Sequence, residues 1–531
     1  MFEQSNSIAD ILNLPADKCA AELKHRCDES GELELLAELG EKFGNTPSPA
    51  VIAKLVNFVK THYPQTPRPI RTVGIYYWHM TIGGVQRVII SQFPIFKELG
   101  VKIVFFTDAL PEPGEYPLPD YVKRVWIPAP DATKPDFRER LAECAEIIKA
   151  EKVDVFYNHY AVSVKCLLWQ SLLVKTVVQI PYFTHFHNLF CSIIDTSKGG
   201  AFVRGTNLLQ MSDLCMALSE TNRLFFTANG INSVYMPNQY FLPDTKISPK
   251  ECSAGHTILF LARIDFSQKR PLDAVKVIEY VIKELPDAKL LIVGGGSEPN
   301  EKRLKEAICN SPAANNIEFC GPTMDVASYY RRADVFLVTS KLEGFPVTLL
   351  ESQAFGLPVV CYDMPYLDII RHPDNGIITV PQEEPGAAAE AIIKVLTDPE
   401  LYRTKSRNGV ATAQYFAEYD LTGLWQQILT DWGAVLPKEA APEQLEILLK
   451  TLQQNIYWSH VQQQHQLNSV KSQLQKAQHK NRSLCNSFSY RLGRALTWMP
   501  RKIRGGIKCL KQHGVVYTCK RIIQKIGNLF K

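Results

Sequence analysis

The 531-residue chain has no apolar run approaching 18 residues, which excludes a membrane-spanning helix. Its N-terminus, Met1-Phe2-Glu3-Gln4, lacks the basic and apolar regions of a secretory signal, so export by that route is not expected. The thirteen cysteines form no C-x-x-C pair, and many sit inside apolar runs such as Val359-Val360-Cys361. That pattern excludes a disulfide frame and a Cys-based zinc site, and reads as reduced, buried thiols in a cytoplasmic protein. Acidic residues are missing altogether after Glu446. Residues 447–531 carry 16 Lys+Arg and no Asp or Glu, so the first 446 residues hold 43 Lys+Arg against 54 Asp+Glu. The overall charge of +5 therefore averages an acidic body and a basic arm, and such asymmetry points to an anionic surface as partner.

What is present divides the chain into five parts. Residues 1–70 read as a helical extension, with Leu35, Leu36, Leu39 and Ile52, Leu55, Val56, Val59 at helical spacing, closed by a Pro-bearing linker. From 71 to 245 short apolar runs alternate with amphipathic helical stretches, and strands are expected at Val73–Trp78, Lys102–Thr107, Val122–Ile127, Val153–Tyr157, Thr176–Ile180, Leu214–Leu218 and Ser233–Met236. After a polar break the alternation restarts over 246–435, with strands expected at Thr257–Ala262, Lys289–Val293, Ile317–Cys320, Asp334–Val338 and Pro358–Cys361. Strand and helix in alternation mean an α/β class with parallel, doubly wound sheets, here two Rossmann-like domains in succession. Residues 436–480 are Gln-rich with heptad-like Leu445, Leu449, Leu452 and Leu467, Val470, Leu474, which supports a weak coiled coil and self-association through 440–480. Residues 481–531 end in a helical stripe of Val515, Val516, Cys519, Ile522, Ile523 and Ile526 flanked by Lys520, Arg521 and Lys525, an amphipathic basic tail suited to an anionic membrane.

In an open α/β sheet ligands bind beyond the carboxyl ends of the strands, so the residues just after each strand hold the chemistry. After the first strand, Gly83-Gly84-Val85 lets the backbone approach a ligand at a helix start, a natural anion site. After the first strand of the second domain, Arg263 and Lys269 stand six residues apart, a planar fork and a point charge able to clamp a diphosphate. Gly294-Gly295-Gly296 ends another strand with a turn open to phosphate. The strand at Asp334–Val338 is followed by Glu343-Gly344-Phe345-Pro346-Val347 and then Glu351. Two carboxylates there bracket a helix N-terminus, combining acceptors for sugar hydroxyls with free N–H groups for phosphate.

The run Glu343-Gly344-Phe345-Pro346…Glu351, with Arg263, Lys269, Gly294–Gly296 and Gly83-Gly84-Val85 at these separations, resembles the family-4 retaining glycosyltransferases of the two-Rossmann GT-B fold over about residues 71–435. The resemblance implies a nucleotide-sugar donor held mainly by the second domain and an acceptor by the first. It implies Arg263 and Lys269 on the donor diphosphate, Glu343 on the transferred sugar and Glu351 on the ribose hydroxyls. Gly83 and Gly84 would line the crevice, Gly294, Gly344, Phe345, Pro346 and Val347 would line the donor site, and Gly321-Pro322 would approach the base. A histidine of the first domain near the reacting sugar is also implied. His187 is placed there by the pattern His185-Phe186-His187-Asn188, with His185 as the alternative.

No Asp-x-Asp-like pair follows a strand in the donor domain, and with two fixed cations at the leaving group no metal or cofactor is expected. With retention implied, the acceptor attacks from the leaving-group face and Glu343 positions the sugar without forming a covalent intermediate. The basic tail suggests a cytoplasmic protein peripherally attached to the inner face of the cell membrane, with a glycan or polyprenyl-linked acceptor in bacterial surface-polysaccharide synthesis. The Ser487-Phe488-Ser489-Tyr490-Arg491-Leu492-Gly493-Arg494 stretch looks like the tails of such transferases. A nucleotide-sugar 2-epimerase of the same fold and a non-catalytic scaffold are the alternatives. The unbroken apolar stripe of the tail suits a membrane better than a nucleic acid, so no nucleic-acid partner is expected.

Overall fold

A computed structural model describes residues 7–81, 83–159, 163–190, 201–243, 248–251, 255–436, 445–449, 451–452 and 467–480, with isolated positions between 508 and 524. The chain divides into two units at Gln453/Gln454. In the second, residues 467–480 form a helix with Leu467, Val470 and Leu474 exposed. The Gln-rich stretch 453–466, the Ser487–Arg494 stretch and the amphipathic pattern of the tail lie outside the described residues. Among the described residues no helix is long and apolar enough to cross a membrane.

The first unit begins with four helices, α1 (Ile8–Ile11), α2 (Ala16–Ser30), α3 (Glu32–Phe43) and α4 (Pro49–His62). Their apolar stripes, including Leu23, Leu35, Leu39, Leu55 and Phe58, share one core with Trp169 of the helix Val164–Leu172 and with Phe156 and Tyr182 of the first sheet. The extension is thus packed against the sheet's helical layer, with Trp169 donating from its indole N–H to Asn45 at 3.0 Å.

Two parallel sheets follow. In the first, β1 (Thr72–Tyr76), β2 (Lys102–Thr107), β3 (Val122–Trp126), β4 (Val155–Asn158), β5 (Tyr182–Phe186), β6 (Leu214–Ala217) and β7 (Ser233–Tyr235) lie in the order β3-β2-β1-β4-β5-β6-β7. In the second, β8 (Thr257–Leu261), β9 (Lys289–Val293), β10 (Ile317–Gly321), β11 (Val335–Val338), β12 (Val359–Tyr362) and β13 (Ile377–Val380) lie in the order β10-β9-β8-β11-β12-β13. The expected α/β class with two Rossmann-like, doubly wound sheets is what the chain adopts. In each sheet the order reverses beside its first strand, between β1 and β4 and between β8 and β11, and ligand crevices open at such switch points. The central strands are buried on both faces, as their near-continuous Val, Ile and Leu runs require. Of the eight described cysteines, Cys19, Cys27, Cys144, Cys166, Cys215 and Cys361 are buried.

One expected strand is corrected. Thr176–Ile180 is not extended: the helix Val164–Leu172 runs on as a π-helix, Leu173–Val178. An apolar run of this length fits a buried helix as well as a strand, and burial of Leu172, Leu173 and Val174 selects the helix here. Lys175 on that turn reaches both carboxylate oxygens of Asp213, at 2.6 and 2.8 Å, which neutralises the one charge the helix buries. Gln179 then reverses the chain in the left-handed region (φ 60°), and the true strand is Tyr182–Phe186. His185 therefore lies within a strand rather than after one, and His187 is the residue that emerges from its end.

The chain also returns. After the second sheet, the helix Leu421–Asp431 packs on the first domain, where Trp425 meets Phe96 and Tyr157 edge-on at 4.7 and 5.5 Å, and Ile70 N–H donates to the Leu429 carbonyl at 2.8 Å.

Candidate active site

The two switch points face one cleft of about 1020 Å³. From the first domain it is lined by Gly83 and Gly84, which open α5 (Gly84–Glu98), by Arg87 one turn further on, and by His187 and Asn188 past β5. From the second it is lined by Arg263, Lys269, Gly294, Glu343, Gly344, Phe345, Pro346, Val347 and Glu351. Gly321 does not line the cleft. It sits one strand away, where its carbonyl accepts from Gly294 N–H at 2.9 Å and so shapes the turn that does.

Local chemistry explains each placement. Between β8 and the helix Pro271–Val281, Asp265 folds the loop by accepting from Ser267 N–H, Ser267 Oγ and Gln268 N–H at 2.8, 2.6 and 2.9 Å. Burial works against the Asp265 charge, but these bonds and Arg263 outweigh it and hold the carboxyl below the usual range. The loop is stitched to the segment after β11: Gln268 Nε2 donates to the Leu342 carbonyl at 3.0 Å, Lys341 N–H to the Gln268 carbonyl at 2.7 Å, and Thr339 Oγ1 to the Lys269 carbonyl at 2.8 Å. Lys269 Nζ is thereby set 2.5 Å from Glu343 Oε1, while Glu343 N–H donates to the Tyr366 hydroxyl at 2.9 Å. Arg263 stays largely exposed, its nearest partners Asp265 and Gln268 both at 3.4 Å, leaving its fork available to a ligand.

Two glycines sit at close approaches. Gly294 has φ +133°, and a Cβ there would lie 2.0 Å from the Ala262 carbonyl oxygen, so only glycine lets the turn after β9 pass this close to the end of β8. A Cβ at Gly344 would lie 3.0 Å from the His187 carbonyl oxygen and 3.1 Å from Leu218 Cδ1. This is where the second domain seats against the first. Phe345 is buried beside Phe416, and Pro346 precedes the helix Val347–Ala354 that carries Glu351. The Glu351 carboxylate accepts from the Tyr330 hydroxyl at 3.0 Å and, across the cleft, from Arg87 at 3.3 Å.

His187 is half-buried in the cleft wall, its Nε2 2.8 Å from Nδ1 of His159, which follows β4. Asn222 fixes the following residue by donating to the Asn188 carbonyl at 2.8 Å. Burial pushes the His187 imidazole down to about 3, so the ring is neutral at ordinary pH. His185 is fully buried behind it, hydrogen-bonded to the Tyr157 hydroxyl at 2.8 Å, and does not reach the cleft. Sequence reading missed Arg87 and His159. Arg87 stands one helical turn past the Gly83-Gly84 pair and His159 just after an apolar strand, signals that acquire meaning once β1 and β4 are adjacent.

Residues 248–411 match the family model described as glycosyl transferases group 1. An uncharacterized glycosyltransferase of Haemophilus influenzae is 24% identical over 375 residues, covering 69% of this chain and all of that protein. Among solved structures, Anabaena HepE in complex with UDP superposes with TM-score 0.54 at 17% identity, over 67% of this chain and 98% of that one. The lipopolysaccharide outer core galactosyltransferase WaaB, in its apo form, superposes with TM-score 0.52 at 16% identity, over 67% and 98%.

Proposed function

Because this chain belongs to the group 1, family-4 glycosyltransferases, retaining enzymes that use nucleotide sugars, we propose that its cleft moves a hexosyl group from a nucleotide-diphosphate sugar onto a lipid-linked glycan acceptor in bacterial surface-polysaccharide synthesis. The observation that carries this reading is the convergence of Arg263, Lys269, Glu343, Glu351, the α5 N-terminus and His187 on one cleft between two switch points.

Transfer builds positive charge on the anomeric carbon and negative charge on the departing diphosphate oxygen. Arg263 and Lys269 act on the latter, where preorganised donors are worth most. The Lys269–Glu343 ion pair holds both groups in place for a donor's phosphate and sugar. The acceptor hydroxyl attacks from the leaving-group face and its proton passes to a phosphate oxygen. The neutral His187 offers the reacting sugar a hydrogen bond without adding charge. No step in this scheme needs a divalent metal.

Glu351 is assigned to the ribose hydroxyls, and Arg87 holds its carboxylate until a donor arrives. Hydrogen bonds to charged groups contribute about 1.5–3 kcal/mol, so Glu351→Ala should raise the donor KM about tenfold or more with a smaller change in kcat. Steady-state kinetics with varied donor checks this, and an unchanged KM removes the ribose role.

The acid-free residues 447–531 supply the anionic-surface contact and bring the site to a lipid-linked acceptor. Full-length protein should float with vesicles rich in anionic lipid, and a chain ending at 480 should not. Equal flotation of both contradicts the tail's role and favours a free glycan acceptor. Epimer formation from a nucleotide sugar without acceptor would favour the 2-epimerase alternative, and the scaffold alternative predicts no turnover.

A further inference from the structure

Behind the cleft wall that His187 lines, His159, His185 and His187 present one nitrogen each within 4.8 Å of the others. The topology makes this cluster: β4 and β5 are parallel neighbours with Asn158 opposite Thr184, so His159 emerges beside His185, and His187 follows on the same face. The rings are close-packed, with His185 and His187 stacked at 4.1 Å and His159 and His187 at 5.0 Å between centroids.

Two features distinguish this from a hydrogen-bonded histidine stack. The Nε2 atoms of both His159 and His185 are buried without a hydrogen-bond partner, and buried polar atoms left so call for a water or an ion. His185 Nδ1 is meanwhile held by the Tyr157 hydroxyl at 2.8 Å, the outer contact that fixes an imidazole with its other nitrogen free to ligate. No carboxylate belongs to the cluster. A neutral three-nitrogen set suits zinc, copper or nickel and not magnesium or calcium, which require oxygen ligands.

We propose that His159, His185 and His187 bind one zinc ion behind the cleft wall, its fourth ligand a water, and that occupancy inhibits transfer by capturing the His187 imidazole. Zinc–nitrogen bonds of about 2.0–2.1 Å place three tetrahedral ligands about 3.3 Å apart. The ligand nitrogens, now within 4.8 Å of one another, close by up to about 1.5 Å to reach that. The inhibitory half rests on the transferase reading; the binding half does not.

Tag-free, full-length protein stripped with chelator and desalted is titrated with Zn²⁺ by calorimetry and with Co²⁺ as a spectroscopic probe. One equivalent should bind, and Co²⁺ should show the intense visible absorption of a four-coordinate site. Both signals should be lost in His159→Ala and in His185→Gln. Because a buried strand position can fail to fold, His159→Ala, at the strand end, carries the test alone if His185→Gln unfolds. Zn²⁺ should also suppress turnover of the wild type at least tenfold, reversed by EDTA, and should not affect whatever turnover His159→Ala retains. Absence of stoichiometric binding, or equal binding by His159→Ala, overturns the site. Binding without inhibition overturns the regulatory half. If the protein shows no transfer at all, the cobalt spectrum still decides the site.

Discussion

Arg263→Ala should lose about 100- to 1,000-fold in turnover while unfolding at the wild-type temperature, the range expected for removing one preorganised donor at a developing oxyanion. The separation of the two readouts is what makes this substitution informative. The Arg263 side chain is 64% exposed, with its nearest polar contacts at 3.4 Å, so its loss changes stability by no more than about 0.5 kcal/mol. Lys269→Ala is a poorer probe. It leaves the Glu343 carboxylate, largely buried, without its cationic partner, so the loop around it loses a fixed contact as well as a charge. Its lost activity would confound chemistry with folding. Arg263→Lys keeps the charge but not the fork, and should recover part of the rate. Full turnover in Arg263→Ala contradicts the assignment of the diphosphate to this loop.

Gly344→Val should lower kcat about 100-fold without touching any group that contacts substrate through its side chain. The first atom of the new side chain meets the His187 carbonyl oxygen at 3.0 Å and Leu218 at 3.1 Å, so the loop carrying Glu343 must lift from the first domain. A misplacement of about 1 Å at a reacting centre is enough for a loss of this size. Single-turnover kinetics with saturating donor checks it, alongside circular dichroism for the fold. Wild-type turnover would mean that the contact between Gly344 and His187 does not set the catalytic geometry.

Five of the second sheet's six strands were readable as short apolar runs bounded by Gly, Pro or polar turns, with cations and carboxylates following strand ends, whereas the edge strand Ile377–Val380 was not expected. Four further features were not readable. The Thr176–Ile180 run has no periodicity to tell helix from strand, and the tertiary burial of Leu173 and Val174 chose the helix. The separation of His185 from His187 followed from that error, since a strand ending at Ile180 leaves both in a loop. Arg87 and His159 became site residues through the strand order, which puts β4 beside β1 and is not written locally in the chain. The contact by which the Gly321 carbonyl shapes the Gly294 turn joins neighbouring strands and likewise has no local signal.

This cleft is expected to bind a nucleotide-diphosphate sugar and to transfer its sugar with retention. The most direct measurement is a screen of nucleotide sugars by thermal shift, followed by magnetic-resonance assignment of the anomeric configuration of the product. One donor at about 100 times its Kd should stabilise the wild type by about 2.7 kcal/mol, do so less in Arg263→Ala, and yield a product of the donor's own configuration. A product of opposite configuration, or a protein that no nucleotide sugar stabilises, contradicts the account.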